Sequence, residues 1–572
     1  MAEPCQIGEN VAVPDACTSP PGLSRRSFAQ RAALGLAGLT CTDFLDYFLR
    51  HGMPHGGRSA VMAAERAREV SRPKFLIYWF LEGGWMGYDM FNPVLTDNNL
   101  LSRLENISDE RYRVLRYGED GFRIRKHGNI RYGFLCEPGK PLFGDMAVLS
   151  SMHSGTFHSG QRLITHMGSY NFRHTEERQE DERSVMQAFA EVCGQPYVLP
   201  NVSWHWWLSD GELNEAQYTG RRGYYHALGP VHAHTIYAGT PAKLKSMLMR
   251  MRARADRAGA AQVERFLDAT HKNVLTDEYG EAVKSYNSAR QIYQQLSVRG
   301  RSLDRATISQ LFTDPELRSR FGVTAADELI TYRSVNGNKA RSKFAPKVNV
   351  QAMMTYELMR AGLSCGFWIE SRDIRRFDSH RARSGLWRGK EKTPVGQTDQ
   401  TGMCNEDLWQ PLLALVELLK STQYQDTGTS LFDHTTIVLT SEFGRTIHGD
   451  VKGITEMKIS DKEKREKIGG QDICQHWKVT SAAFLGGRVR GDTQFGRIGE
   501  HTLLAIPLMP DGSLDPAYDP RTGELIDGRT QSDKSRIPNH GSVYATALHL
   551  CDINPKGRGR NDRPPLEFIR KA

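Results

Sequence analysis

The sequence predicts an α/β fold with a mostly parallel central sheet, helices on both of its faces and a helical insertion. Three continuous apolar runs, typical of strands that are buried on both faces, support this prediction. They are Phe75–Leu81, Leu363–Ile369 and Thr435–Leu439. Helical patterns at 351–360 and 408–420 lead into the second and third runs, which gives the alternation of helix and strand that parallel sheets require.

Each of the three predicted strands is followed by acidic or imidazole side chains. Glu82 follows the first strand, with Asp89 shortly after it, and Glu442 follows the third. Asp378 and His380 follow the middle strand. Because parallel strands end at one edge of a sheet, we expect these groups to converge, and converging carboxylates repel unless a cation or a proton offsets them. The set predicts a zinc, calcium or manganese site, and a capped, salt-bridged loop is the alternative.

The segment Ser441–Thr446 has the most specific motif of the chain, Ser-Glu-Phe-Gly-Arg-Thr. Together with Leu81–Trp85, Asp378–His380 and later Gly-Gly and His-Trp pairs, it resembles a bacterial exported family catalogued as domain of unknown function 1501, within the alkaline phosphatase and sulfatase superfamily. The resemblance spans about residues 73 to 555. It implies an alkaline-phosphatase-like fold and hydrolysis of phosphate or sulfate esters with the help of a divalent metal.

The chain departs from the superfamily pattern in the ligand positions. Most members of the superfamily end the late strand with Asp-His-Gly, and both the Asp and the His bind metal. Here Glu442 and Phe443 stand at those two positions, and Glu82 stands where the first strand usually has Asp. The resemblance adds His476 as a metal ligand and Arg445 as the cation that offsets the charge of the anion. It therefore implies metal binding without the usual two-zinc geometry.

The resemblance also implies a nucleophile after a further predicted strand, 146–150. Sulfatases place their catalytic residue nine positions before the Thr of a Leu-Leu-Thr-Gly run, and counting back from Thr165 leads to Thr156. A hydroxyl at a helix N-terminus near a metal can be deprotonated and can attack phosphorus or sulfur. His158 is a candidate for orienting or protonating groups there. The alternative is that a hydroxyl in this stretch only caps the helix.

The N-terminal segment has the pattern of a targeting sequence. Ser24–Phe28 contains the twin arginines Arg25 and Arg26, and a short, weakly apolar stretch follows. We therefore expect a twin-arginine leader and linker over 1–68, the folded domain over 69–572, and export to the periplasm or the cell surface by the twin-arginine machinery. An ordinary basic amphipathic helix is the alternative.

Composition limits the partners that we expect. Hydrophobic residues make up 39% and charged residues 25% of the chain, as in globular proteins, and no apolar run in the body is long enough to span a membrane. The basic stretch 243–257 is interleaved with Met, Leu and Ala instead of aromatic residues, so no nucleic-acid partner is expected. It opens the helical insertion, predicted at about 241–345, and a Pro-, Gly- and Asp-rich surface loop is predicted at about 510–536.

Two classes of function remain after the sequence analysis. The first is an exported, metal-assisted hydrolase that acts on an anionic small-molecule or polysaccharide ester. The second is a catalytically degenerate binding protein that retains the fold in the periplasm or at the cell surface. The Asp378 and His380 pair favours the first class, and Phe443 at the position of a ligand histidine favours the second.

Overall fold

The fold is taken from a computed structural model of the chain. The structure describes residues 74–93, 124–156, 158–168, 184–204, 236–255, 304–328, 330–333, 342–371, 377, 400–425, 427–445, 476–500, 502–531, 536–556 and 563–571. The predicted leader and the predicted ligands Asp378 and His380 lie outside these residues.

The described strands form one large sheet and three two-stranded ones. They are β1 Phe75–Leu81, β2 Arg125–His127, β3 Ile130–Tyr132, β4 Met146–His153, β5 Leu199–Ser203, β6 Ile236–Tyr237, β7 Ile330–Arg333, β8 Ser342–Ala345, β9 Ser364–Glu370, β10 Thr435–Ser441, β11 Gly444–Arg445, β12 His476–Trp477, β13 Val479–Gly486 and β14 Thr493–Phe495. The pairs β2–β3, β7–β8 and β11–β12 form the small sheets.

The described helices surround this sheet. The α-helices are α1 His158–Met167, α2 Val185–Cys193, α3 Pro241–Ala255, α4 Arg305–Gln310, α5 Pro315–Arg320, α6 Val348–Arg360, α7 Gln400–Cys404, α8 Gln410–Ser421 and α9 His540–Leu550. Short 3₁₀ helices cover Gly87–Asp89, Phe134–Asp145, Ala325–Asp327, Phe432–His434 and Glu567–Ile569, and a π-helical turn, Asn405–Trp409, joins α7 to α8.

The central sheet has eight described strands in the order β14-β4-β13-β10-β1-β9-β5-β6. Neighbouring strands are parallel, except that β13 is antiparallel to both β10 and β4. Seven strands therefore run in one direction, and their carboxyl ends meet at one edge. The strands predicted at 75–81, 363–369 and 435–439 are confirmed as β1, β9 and β10, which lie side by side and are buried along their whole length.

Helices cover both faces of the sheet, as predicted. Successive side chains of a strand point to opposite faces of the sheet, so neighbouring residues of β1 contact the helices on opposite faces. On one face, the Trp79 indole donates a hydrogen bond to the backbone carbonyl of Asp407 in the π-helical turn (3.0 Å). On the other face, the Phe80 ring lies 6.4 Å from the ring of His166 in α1. The core of the protein therefore lies on both sides of β1.

In the described part of the region predicted as a helical insertion, helices and strands both occur. This part contains helices α3, α4 and α5, but the hairpin β7–β8 also lies within it. The basic helix α3 contacts α4 at the protein surface, because Lys245 Nζ donates to the carbonyl of Ser309 (2.6 Å). In the region of the predicted surface loop, the described residues 510–531 form turns and isolated bridges. Within the described ranges, no helix is long and apolar enough to cross a membrane.

Candidate functional site

The carboxyl edge of the central sheet collects most of the residues that the sequence analysis singled out. Glu82 directly follows β1 and Glu442 directly follows β10. These two strands are parallel neighbours, and their last residues, Leu81 and Ser441, are paired. Because β13 runs the other way, His476, which precedes it, arrives at the same edge. The structure therefore places Glu82, Glu442 and His476 on one side of the sheet.

Both glutamates at this edge are removed from solvent. Glu82 is 3% exposed and Glu442 is fully buried. Ser441 connects the two strand ends, because its hydroxyl donates to the carbonyl of Leu81 (2.6 Å) and accepts from the N–H of Trp85 (3.1 Å). Burying a carboxylate is costly unless charges or hydrogen bonds offset it, so two of them at adjacent strand ends indicate a specialised site rather than a solvated loop.

Arg445 holds the glycine turn that follows β1. Its guanidinium is fully buried and donates hydrogen bonds to the carbonyls of Gly83 and Gly84, the latter at 3.2 Å from Nε. Both glycines have positive φ, 115° and 81°, which favours Gly because it has no Cβ. The guanidinium also lies over the ring of Phe443, at 5.4 Å from its centroid. Arg445, predicted to offset the charge of an anion, thus fixes the backbone of the turn beside Glu82.

Phe443 and His476 connect this turn to Thr156. The two rings stack with centroids 4.3 Å apart and planes 28° apart. His476 Nδ1 lies 2.7 Å from the carbonyl oxygen of Thr156. A carbonyl can only accept, so Nδ1 carries the proton, and in a neutral imidazole Nε2 then holds the lone pair. His476, a predicted ligand, therefore contacts the backbone of Thr156, the predicted nucleophile. Phe443 packs on the other side of the imidazole and holds it in this position.

Thr156 lies in the turn between β4 and α1 and is exposed. The turn is fixed on both sides. The N–H of Ser154 donates to the carbonyl of Lys478 (2.8 Å), and the N–H of Gly155 donates to Oε1 of Gln161 (2.6 Å). His158 is the first residue of α1, and its side chain lies outside the described part of the chain. The structure thus places Thr156 just before a helix, as a nucleophile at a helix N-terminus requires.

His540 is a residue of this edge that the sequence analysis did not identify. It is the first residue of α9, is fully buried, and donates from Nε2 to the carbonyl of Glu442 (2.9 Å). Burial lowers the pKa of His540 to about 4, although the hydrogen bond to Glu442 opposes this, so the imidazole is neutral at pH 7. Its Nδ1 is buried and makes no hydrogen bond. Asn539, a good N-cap before an apolar helix, is the sequence signal that would have pointed to it.

Glu370 is the second residue of this edge that the sequence analysis did not identify. It is the last residue of β9, is fully buried, and pairs with Phe80 of β1. Trp368 donates from its indole to Glu370 Oε2 (3.0 Å), and Gln351 exchanges two hydrogen bonds with the Glu370 backbone. The same rule that singled out Glu82 and Glu442, a carboxylate at the end of an apolar strand, would have identified it.

Asp89 lies in the 3₁₀ helix Gly87–Asp89 and is 1% exposed. Its backbone packs so closely on Gly133 that a Cβ there would collide with it. Burial raises the pKa of the nearby Cys136 thiol, and the charges of Cys404 and Asp89 raise it further. Asp89 thus contacts the segment that leads into β4.

The described residues do not by themselves complete a metal site. Among them, no three His, Cys, Asp or Glu side chains are placed to hold a metal ion. Glu82 and Glu442 supply oxygen donors of the type that zinc, calcium and manganese accept. A full set of ligands would need Asp378 and His380, which lie outside the described residues.

Comparisons with known proteins do not identify the chain. It matches no family model, no curated protein and no solved structure.

Proposed function

We propose that this chain is an exported sulfatase- or phosphatase-like protein that hydrolyses phosphate or sulfate esters on an alkaline-phosphatase-like fold. The main supporting observation is the contact between Thr156 and His476 at the sheet edge where Glu82 and Glu442 are buried. An exposed hydroxyl before a helix, an adjacent imidazole and buried carboxylates are the groups that transfer of a phosphoryl or sulfuryl group requires. An anionic small-molecule or polysaccharide ester is the proposed substrate.

The proposed chemistry is an attack by the Thr156 hydroxyl. Its oxygen forms a bond to phosphorus or sulfur, the ester oxygen leaves with the bonding electrons, and water later releases Thr156. His158, the first residue of α1, is the proposed acceptor of the hydroxyl proton, and His476 holds the backbone of Thr156 through its Nδ1 (2.7 Å). A divalent metal, held by Glu82, Glu442 and His476 together with Asp378 and His380, would polarise the ester oxygen.

The second candidate function is that of a non-catalytic binding protein with the same fold. It is favoured by the use of the Arg445 guanidinium, which donates to Gly83 and Gly84. It is also favoured by Phe443, which stands at a ligand position of the superfamily and packs on His476. A degenerate site would keep its shape and lose its turnover.

Metal analysis and a panel of aryl esters distinguish the two candidates. The protein should be purified after export from its own host and analysed for zinc, calcium and manganese. The hydrolase proposal expects bound metal and release of phenol from an aryl phosphate or an aryl sulfate. If the protein contains no metal and hydrolyses no ester of either class, the binding function replaces the hydrolase.

We also propose export by the twin-arginine pathway. Replacing the pair by Arg25→Lys with Arg26→Lys should stop export, because the pathway reads the arginines, and the folded domain should accumulate in the cytoplasm. Immunoblots of periplasmic and cytoplasmic fractions measure this. A normal periplasmic yield of the double variant would show that the segment is not a twin-arginine leader.

A further inference from the structure

Gln161 has a buried amide with an unused donor group. The side chain is fully buried, and its Oε1 accepts the N–H of Gly155 at 2.6 Å. An N–H can only donate, so the amide of Gln161 is oriented with its oxygen toward Gly155 and its nitrogen, Nε2, away from that N–H. Nε2 carries two N–H groups, is buried, and makes no hydrogen bond. Leaving a buried donor without an acceptor costs about 1–3 kcal/mol, which makes the position unfavourable unless a ligand supplies the acceptor.

The unused donor lies beside the candidate nucleophile. Oε1 and Nε2 belong to one planar amide group, so Nε2 is next to the Gly155 turn, one residue before Thr156. Gln161 also lies in the first turn of α1, a ten-residue helix whose N-terminal N–H groups and dipole favour an anion. The amide and the helix therefore favour the same kind of ligand at the same place.

A second helix, α9, begins beside the end of β4. The N–H of His153 at the end of β4 donates to the carbonyl of Pro538 (2.7 Å), two residues before α9 begins. Along their length the helices touch, because a Cβ at Gly168 would come within 2.8 Å of Tyr544. Asn539 caps α9 by accepting the N–H of Ser542 (3.2 Å). α9 therefore begins beside the end of β4, the strand that leads into the Thr156 turn.

We propose that Gln161 binds a non-bridging oxygen of the tetrahedral oxyanion of the substrate, phosphoryl or sulfuryl. Its Nε2 donates to the oxyanion while Oε1 keeps the Gly155 turn in place. This inference rests on the proposed function, and it assigns the binding of the anion to a neutral amide and the N-terminus of α1. Arg445 then maintains the shape of the turn after β1 and does not contact the anion.

Gln187 provides a matched control within the same protein. It is also a fully buried glutamine near a helix N-terminus, and its Nε2 also makes no hydrogen bond. Its Oε1 accepts the N–H of Ser184 (3.0 Å) in the capping box of α2. Replacing it has the same general cost to the fold, but it lies in a helix that does not follow the Thr156 turn.

Titration calorimetry of the full chain with inorganic phosphate, and separately with sulfate, tests the inference. Gln161→Leu should weaken binding of the preferred anion by roughly ten- to a hundredfold, the usual worth of hydrogen bonds to a charged group. Gln161→Glu keeps an oxygen for Gly155 but puts a carboxylate beside the anion, and it should abolish binding. Gln187→Leu should leave Kd within about twofold of wild type. Circular dichroism confirms that each variant is folded.

The inference is overturned if Gln161→Leu binds both anions as wild type does, if Gln187→Leu weakens binding equally, or if wild type binds neither anion. Its failure can be separated from failure of the proposed function. Anion binding that depends on Gln161 in a protein without ester turnover supports the inference and removes the hydrolase. Ester turnover with KM and anion Kd unchanged in Gln161→Leu removes only the inference.

Discussion

The two edges of the central sheet differ in whether their polar groups have partners within the chain. At the amino edge, Asp552 follows α9 and binds three cations: Lys74 before β1 (2.7 Å), Arg570 (2.6 Å) and Arg488 after β13. At the carboxyl edge, Gln161 Nε2 and His540 Nδ1 are buried without hydrogen bonds.

The amino edge therefore contributes to stability, and the carboxyl edge is the part of the sheet suited to binding a ligand. Burial alone would raise the pKa of Asp552, but the hydrogen bonds of Lys74 and Arg570 lower it to about 2. The charge at the amino edge is therefore balanced within the chain. A carboxyl edge that leaves donors and acceptors unmatched is less stable, and such groups persist where a ligand completes them. We therefore expect substitutions at the two edges to affect different measurements.

The largest expected effect is on turnover at the carboxyl edge. Thr156→Ala removes the proposed nucleophile and should lower kcat/KM for an aryl ester by at least about a hundredfold. Because Thr156 is exposed, the unfolding free energy of the protein should change by less than about 0.5 kcal/mol in this variant. Thr156→Ser, which keeps a hydroxyl, is the control and should retain most of the activity. Equal activity of the alanine and serine variants would remove Thr156 from the mechanism.

A smaller loss of turnover is expected when the support of His476 is weakened. Phe443→Leu keeps an apolar side chain but removes the ring that stacks on His476, so the imidazole loses its fixed position beside Thr156. We expect kcat to fall by about tenfold, with a loss of about 1–2 kcal/mol in unfolding free energy. Phe495→Leu, which breaks the tilted ring contact with Phe568 (centroids 4.5 Å apart), controls for loss of an aromatic contact. If both variants keep the wild-type kcat, the stack has no catalytic role.

The smallest expected effect is on stability at the amino edge. Asp552→Asn leaves Lys74, Arg488 and Arg570 without their shared carboxylate, and because Asp552 is 39% exposed we expect a loss of only about 1–2 kcal/mol near pH 7. The folded pKa of Asp552 lies below its ordinary value of 3.8, so its contribution is complete above that value and disappears as the pH falls toward about 2.

Urea unfolding of the wild type and Asp552→Asn between pH 7 and 2 measures this effect. The difference in unfolding free energy between the two proteins should shrink as the pH falls toward 2. Their kcat/KM values at neutral pH should be equal. A difference that stays constant down to pH 2 would mean that the carboxylate is not the source of the stability. A loss of turnover in Asp552→Asn would mean that the two edges are not independent.

The strands could be predicted from the sequence because their cause is local. Continuous apolar runs such as Phe75–Leu81 are suited to strands that have helices on both faces, and the structure has β1 over the same residues. The placement of β13 could not be predicted. Its sequence is that of an ordinary buried strand, and nothing local indicates that it runs antiparallel between β10 and β4.

The candidate site could be predicted only in outline. The strand-end rule brings Glu82 and Glu442 together, because register in a parallel pair extends to the residues after the strands. The roles of Arg445 and His540 depend on carbonyls of Gly83 and Glu442, which are 362 and 98 residues away in sequence. Side-chain partners at that separation are set by packing of the whole domain, and spacing in the sequence does not reveal them.

An anomalous difference map from crystals soaked in tungstate, a tetrahedral analogue of phosphate and sulfate, tests the central claim most directly. The claim is that the carboxyl edge is the ester site. It predicts a tungsten peak beside Thr156, with an oxygen of the anion within hydrogen-bond distance of Gln161 Nε2. A map with no peak at that edge at saturating tungstate, or with its main peak near Asp552 and its three cations, would contradict the claim.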